Sequence, residues 1–212
     1  MSKGKYIIFE GIVGTGKSTQ SKQIYSYLED KYPNKKFIWT FEPGGSEIAD
    51  EIRRVVQATE YEEKMDPICE AYLYASSRAQ TIRKIIKPNL EKGNIVIADR
   101  SFLTSIAYQG FARELGPELI LKINESALDD CFPDLVLFLD LDIKPALQRT
   151  FDFDGDKFEK ESVDFFKKAL KGYKYASQLS KLKNKWVTIN ARGNIDEVYQ
   201  RIIKVLNKRL EF

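Results

Sequence analysis

Five short apolar runs punctuate the chain at Tyr6–Phe9, Lys36–Thr40, Asn94–Ala98, Leu135–Leu139 and Trp186–Ile189, each rich in Ile, Val, Phe or Leu. Continuous runs of this length, without polar alternation, are what strands buried on both faces require. The stretches between them repeat at helical spacing. Residues 17–31 bring Ile24, Tyr25 and Leu28 together, and residues 68–91 space Ile68, Tyr72, Ala75, Ala79, Ile82 and Ile86 by three or four. Residues 194–209 do the same with Ile195, Val198, Tyr199, Ile202, Val205 and Leu206. Strand followed by helix, repeated, predicts an α/β fold: a central five-stranded parallel sheet with helices on both faces, because right-handed crossovers return each helix over a sheet face. Pro33-Asn34 and Gly93-Asn94 mark turns, and Gly155 lies in a polar stretch that reads as a mobile flap between helices. With no internal repeat and no linker, all 212 residues are expected to form a single domain.

Composition changes this picture mainly by exclusion. Lys and Arg number 34 against 31 Asp and Glu, a net charge of +3, so there is no general electrostatic case for nucleic-acid binding. Histidine is absent, which removes imidazole acid–base chemistry and His-ligated zinc together. The two cysteines, Cys69 and Cys131, lack CxxC spacing; each is expected to be a buried small hydrophobe in a reducing compartment. The N-terminus lacks a signal-peptide core and no apolar run approaches ~18 residues, so a cytoplasmic protein without a membrane partner is expected.

The chemistry concentrates in "FEGIVGTGKSTQ", residues 9 to 20. Gly11, Gly16, Lys17 and Ser18 satisfy G-x-x-x-x-G-K-[ST], with a strand before and a helix after. In such a loop, here Gly11, Ile12, Val13, Gly14, Thr15, Gly16, Lys17, Ser18 and Thr19, backbone N–H groups and the helix N-terminus cradle phosphates. Lys17 then reaches the β and γ phosphates of ATP, and the Ser18 hydroxyl ligates Mg²⁺. A second metal anchor is expected at the end of a neighbouring strand, and both Asp99 and Asp140 end suitable runs. Asp99 is favoured because Arg100 follows at once, delivering a phosphate-gripping guanidinium to the same sheet edge; Asp140 otherwise reads as a helix cap or as a hydrogen-bond partner to a group that itself holds the metal. A guanine-binding switch is disfavoured, because Asn184-Lys185-Trp186 does not complete [NT]-K-x-D, and Asp152-Phe-Asp-Gly155 lies in an acidic loop. Arg78, Arg100 and the aromatic and amide groups around Tyr74 and Gln109 suit a second substrate with its own negative charge.

The chain resembles the thymidylate kinase family over essentially its whole length. The likeness rests on the phosphate loop, on Glu42-Pro-Gly-Gly-Ser46 followed by Glu51-Ile-Arg53, on Leu73-Tyr-Ala-Ser-Ser-Arg-Ala-Gln80, on Leu137-Phe-Leu-Asp140, and above all on Asp99-Arg-Ser-Phe-Leu-Thr-Ser-Ile-Ala-Tyr-Gln-Gly110. The resemblance implies a three-layer P-loop fold, a homodimer, and Mg²⁺-dependent transfer of phosphate from ATP to dTMP. It places Tyr74 on the thymine face, Arg78 and Arg100 on the acceptor phosphate and base edge, and Pro43, Thr104, Tyr108 and Gln109 in the acceptor pocket. A nucleoside monophosphate is largely ionised near pH 7, so alignment and charge neutralisation by Lys17, Arg100 and Mg²⁺ suffice, without a general base. Gly14 stands where one branch of the family carries a catalytic arginine, which points to the branch with that arginine in a lid; here the lid spans 149–161, and the resemblance implies that Arg149 does that arginine's work, that Lys157 assists, or that turnover is slow. From Phe151 to Glu161 that lid holds five acids against two lysines, a net of −3. Val13 replaces a family acid near the sugar, Phe41 an arginine before Glu-Pro-Gly-Gly, and Ser101 a common tyrosine. These departures leave open a kinase for another deoxynucleoside monophosphate or for a deoxynucleoside, or a nucleotide-binding protein with weak turnover.

Overall fold

The computed structural model describes residues 4–149, 158 and 161–209. Their strands are β1 (Lys5–Glu10), β2 (Phe37–Phe41), β3 (Ile95–Asp99), β4 (Leu135–Asp140) and β5 (Trp186–Asn190). They form one all-parallel sheet in the order β2-β3-β1-β4-β5. The expected fold class is therefore found, with strand ends displaced by about one residue. Most of the displacement is at the carboxyl edge, where Glu10, Phe41, Asp99 and Asp140 continue the ladder beyond the apolar runs.

Alternate residues of the central strands feed two cores. Ile7, Phe9, Ile95 and Ile97 face one side of the sheet, and Tyr6, Ile8, Val96 and Ala98 the other. This is the period of two expected of a sheet covered on both faces. The covering helices are α1 (Lys17–Lys31), α2 (Glu47–Gln57), α3 (Pro67–Thr81), α4 (Lys87–Glu91), α5 (Phe102–Ser105), α6 (Pro117–Leu128), α7 (Ile143–Gln148), α8 (Val163–Ala176) and α9 (Ile195–Arg209).

The helical pattern over 68–91 resolves into α3 and α4 joined by a π-helical turn at Ile82–Ile86. Asp66 caps its start by accepting from Ile68 N at 2.8 Å, with Pro67 in the first turn. The interruption lies just before Pro88, whose missing N–H cannot join an unbroken α ladder. A second π-helical turn, Ile106–Ala112, follows α5 and carries Tyr108 and Gln109.

Cys131 is buried as expected, and burial pushes its thiol up to about 11. Cys69 is instead exposed, because the first turn of α3 turns that position to solvent. No helix among the described residues is long and apolar enough to cross a membrane. Gly155 and all of the expected lid except Arg149, Phe158 and Glu161 lie outside the described residues.

Candidate active site

The phosphate loop leaves β1 at Gly11, whose φ is 145° and whose added Cβ would lie 2.7 Å from the Leu139 carbonyl oxygen. No side chain fits there. Gly16, at φ 88°, opens α1 without any side-chain cap, which leaves the helix N-terminus for an anion. The Thr15 hydroxyl donates back to Ile12 O at 2.9 Å, and Lys17 Nζ donates to the same oxygen at 2.6 Å, folding the loop over itself.

In the first turn of α1 the Ser18 hydroxyl donates to Asp99 Oδ2, at the end of β3. The other carboxylate oxygen of Asp99 is buried with no hydrogen-bond partner among the described residues. A hydroxyl and a buried carboxylate with an uncommitted oxygen suit a hard cation that draws its remaining ligands from water and phosphate, as Mg²⁺ does. Among the described residues no three Asp, Glu or Cys side chains cluster as an all-protein metal cage. Asp140 is exposed at the end of β4 and lines neither cavity of the site. These groups border a cleft of about 770 Å³ that also receives Val13, Arg53, Arg100 and Arg149.

Arg100 follows β3 with φ 71°, a left-handed conformation rare outside glycine. Its guanidinium donates to Gly11 O at 3.3 Å and Thr104 Oγ1 at 3.2 Å, and lies over the Tyr108 ring at 5.5 Å. The strain, of order 1–3 kcal/mol, goes with turning a cation from the sheet edge back towards the phosphate loop. Arg149 is exposed at the end of α7 and donates to Gly193 O at 3.2 Å, so it stands on the outer rim of the loop. It also borders a second hollow between Gly14–Gly16 and the start of α9.

Behind Arg100 lies a smaller cavity of about 20 Å³, room for roughly one water. Its walls are Pro43, Tyr74, Arg78, Thr104, Tyr108 and Gln109, the residues expected for the acceptor, together with Phe158. The Phe158 ring is 3% exposed and lies 5.0 Å from Tyr108 and 6.2 Å from Tyr74, centroid to centroid. Arg78 is 2% exposed. It donates from Nε to Glu42 at 2.6 Å, from one terminal nitrogen to Asn124 at 2.5 Å and from the other to Ser105 at 3.2 Å. Gln109 donates to Glu70 at 2.7 Å. Glu42, Gln57 and Arg100 border both the large cleft and this cavity, so the two meet there.

Buried acids that were not singled out as site residues organise both cavities. Glu10 accepts from Ser101 and Thr104, each at 2.7 Å, and from Tyr173 at 3.2 Å. Burial raises its carboxyl above the ordinary range, with the Ser101 and Thr104 hydrogen bonds opposing. Burial raises Glu42 likewise, with Arg78 opposing. Ser101, one of the departures from the family pattern, thus serves Glu10 and also caps α5 through Leu103 N at 3.2 Å. Phe41, another departure, lies under the Arg53 guanidinium at 5.3 Å. A signal for Glu70 was present: Glu70, Tyr74 and Arg78 recur every fourth residue, so they share one face of α3. Glu10 and Glu42 carried no comparable spacing signal, because their partners come from distant helices.

A G-x-x-x-x-G-K-S loop opening a helix beside an arginine-lined cavity, at the carboxyl edge of a parallel sheet, is the arrangement of a P-loop phosphotransferase. The family model for thymidylate kinase matches residues 9–202. A thymidylate kinase from Caldicellulosiruptor saccharolyticus is 39% identical over 210 residues, covering 99% of this chain and 98% of its own. One from Finegoldia magna is 42% identical over 205 residues, covering 96% and 98%. The crystal structure of thymidylate kinase from Ehrlichia chaffeensis superposes with a TM-score of 0.78 at 27% identity, covering 97% of this chain and all of that one. The chain belongs to the thymidylate kinase family, and is a nucleoside monophosphate kinase.

Proposed function

We propose that the large cleft holds ATP, that the small cavity receives dTMP, and that the γ-phosphoryl group passes between them at Arg100. The observation that carries this reading is the shared border: Arg100, Glu42 and Gln57 line both cavities. An in-line transfer needs its two substrates on either side of one cation. Gly11 to Thr19 grip the triphosphate, with Lys17 on the β and γ phosphates. Ser18 and Asp99 would hold Mg²⁺, which when bound supplies charge neutralisation across the phosphate oxygens. Arg53 and Arg100 face the acceptor phosphate, Tyr74 and Tyr108 the base, and Pro43, Thr104, Arg78 and Gln109 its edges and sugar. Arg149, at the rim of the phosphate loop, supplies positive charge to the phosphoryl group in flight. The acceptor oxygen arrives largely ionised near pH 7, so no side chain needs to remove a proton.

The homodimer expected from the resemblance belongs to this reading. Exposed Ile48 on α2, with Ile68 and Tyr72 on α3, offers apolar surface for it. A cytoplasmic location, where the thiols of Cys69 and Cys131 stay reduced, belongs to it too. The test is coupled ADP release across dTMP, dUMP, other monophosphates and thymidine. Release with dTMP well above the rate with thymidine is expected; measurable ATP binding with no release for any acceptor would overturn the reading.

A further inference from the structure

One amide beside the acceptor cavity has a fixed orientation. Gln109 Nε2 donates to Glu70 Oε1 at 2.7 Å. A carboxylate only accepts, so the amide nitrogen must face Glu70 and the side chain cannot flip. Glu70 is itself held: it is 2% exposed on α3, Arg113 Nε lies 3.4 Å from the same oxygen, and Arg113 pairs in turn with Glu161 at 2.6 Å. What Gln109 offers the cavity it lines is therefore a carbonyl oxygen.

Arg78, on the same cavity, offers the opposite. Guanidinium has five N–H donors; Glu42, Asn124 and Ser105 take three of them, leaving two. Asn124 is oriented by the same logic, since its Nδ2 donates to Ile120 O at 2.8 Å and its oxygen is left for Arg78. An acceptor from Gln109 and a donor from Arg78 complement an imide edge, a ring N–H beside a carbonyl. Cytosine presents a ring acceptor beside an exocyclic amino donor, which inverts both.

We infer that Glu70 is a positioning residue for base selection: by locking the Gln109 amide it makes the cavity accept pyrimidines with an imide N–H, such as thymine and uracil, and reject cytosine. This rests on reading the small cavity as the acceptor site. Mismatched partners would leave buried polar groups unpaired on both sides, which is how such sites reach large discrimination.

The test is calorimetric binding of dTMP and dCMP to the full chain, with kcat/KM for both. In Glu70→Gln the neighbour both donates and accepts, so Gln109 can sit either way. The dTMP-to-dCMP affinity ratio should fall by about 30-fold or more. In the double variant Glu70→Gln/Gln109→Glu the pairing is restored with reversed polarity, and Glu at 109 can only accept. The ratio should return to within about threefold of the parent. A merely structural role lowers both affinities together and leaves the ratio unchanged in Glu70→Gln, which overturns the inference. If Glu70→Gln does not fold, the double variant decides: a parental ratio supports the inference, a collapsed one overturns it. A parent chain that binds no dTMP overturns the acceptor reading itself. A parent that discriminates while Glu70→Gln discriminates equally overturns only the role of Glu70.

Discussion

The larger cleft is built around one continuous stretch, of which Val13, Gly14 and Gly16 to Thr19 line it, joined by side chains from β2, α2 and the end of β3, and it stays open at about 770 Å³. The smaller cavity draws on the loop after β2, the end of α2, α3, α5 and the π-helical turn that follows it, and Phe158 ahead of α8, and encloses about 20 Å³. In the first, backbone conformation at glycines sets the path of the loop, and Lys17 and Ser18 follow it in the first turn of α1. In the second, the working side chains are themselves core: Arg78, Tyr108 and Gln109 are each no more than 2% exposed. The larger cleft thus rests chiefly on backbone geometry, and the smaller cavity on buried side-chain contacts.

That contrast predicts different costs for disrupting each side. Lys17→Ala should lower kcat by about 10³-fold or more, since it removes charge placed on the transferring group. Its dTMP affinity should stay within about threefold, as calorimetry would show. Equal loss of dTMP binding would mean that the two cavities are not separable. Arg78→Ala should cost stability as well as activity, because it leaves Glu42 buried and unpaired. About 3–5 kcal/mol is expected for a broken buried pair, or a melting temperature lower by about 10 °C for a chain this long. Scanning calorimetry of the two variants side by side checks the comparison directly.

Phe158 sharpens it further. A cavity of about 20 Å³ has no room for a pyrimidine, and this ring occupies space beside both tyrosines. On the proposed reading the Phe158 ring must move aside for the base to enter, and the apparent affinity carries the cost of that movement. Phe158→Ala should lower the KM for dTMP by about three- to tenfold. A rise in KM would instead make the ring part of the wall that holds the base.

The smallest effect concerns Glu10. A carboxyl raised by burial favours the fold in its neutral form, so its contribution is full below the ordinary value of about 4.3 and fades as pH rises through the raised one. Glu10→Gln is neutral throughout. The melting temperature of the variant minus that of the parent should become more positive from about pH 4 to about pH 8. A difference that is flat or falls over this range contradicts the buried, raised carboxyl.

Much of this architecture was legible in the residues. Five apolar runs announced the five strands because a strand buried on both faces needs continuous apolar sequence, and the ends slipped where polar residues such as Asp99 complete the ladder at the working edge. The phosphate loop was legible because its chemistry is local. The choice between Asp99 and Asp140 was not local: it depends on which strand lies beside the start of α1, and the structure sets Asp99 against Ser18. The buried acids were hidden for the same reason, since Glu42 finds Arg78 across 36 positions and Glu10 finds Tyr173 across 163. Cys69 failed a rule of averages, exposed by its place in the first turn of a helix.

The proposed direct transfer between two cavities that meet at Arg100 is tested most directly by product stoichiometry. With ATP labelled at the γ position and dTMP in excess, label should appear in dTDP in a one-to-one ratio with ADP, with little free phosphate and none retained on the protein. ADP formed with label in inorganic phosphate, or on the chain itself, would contradict it.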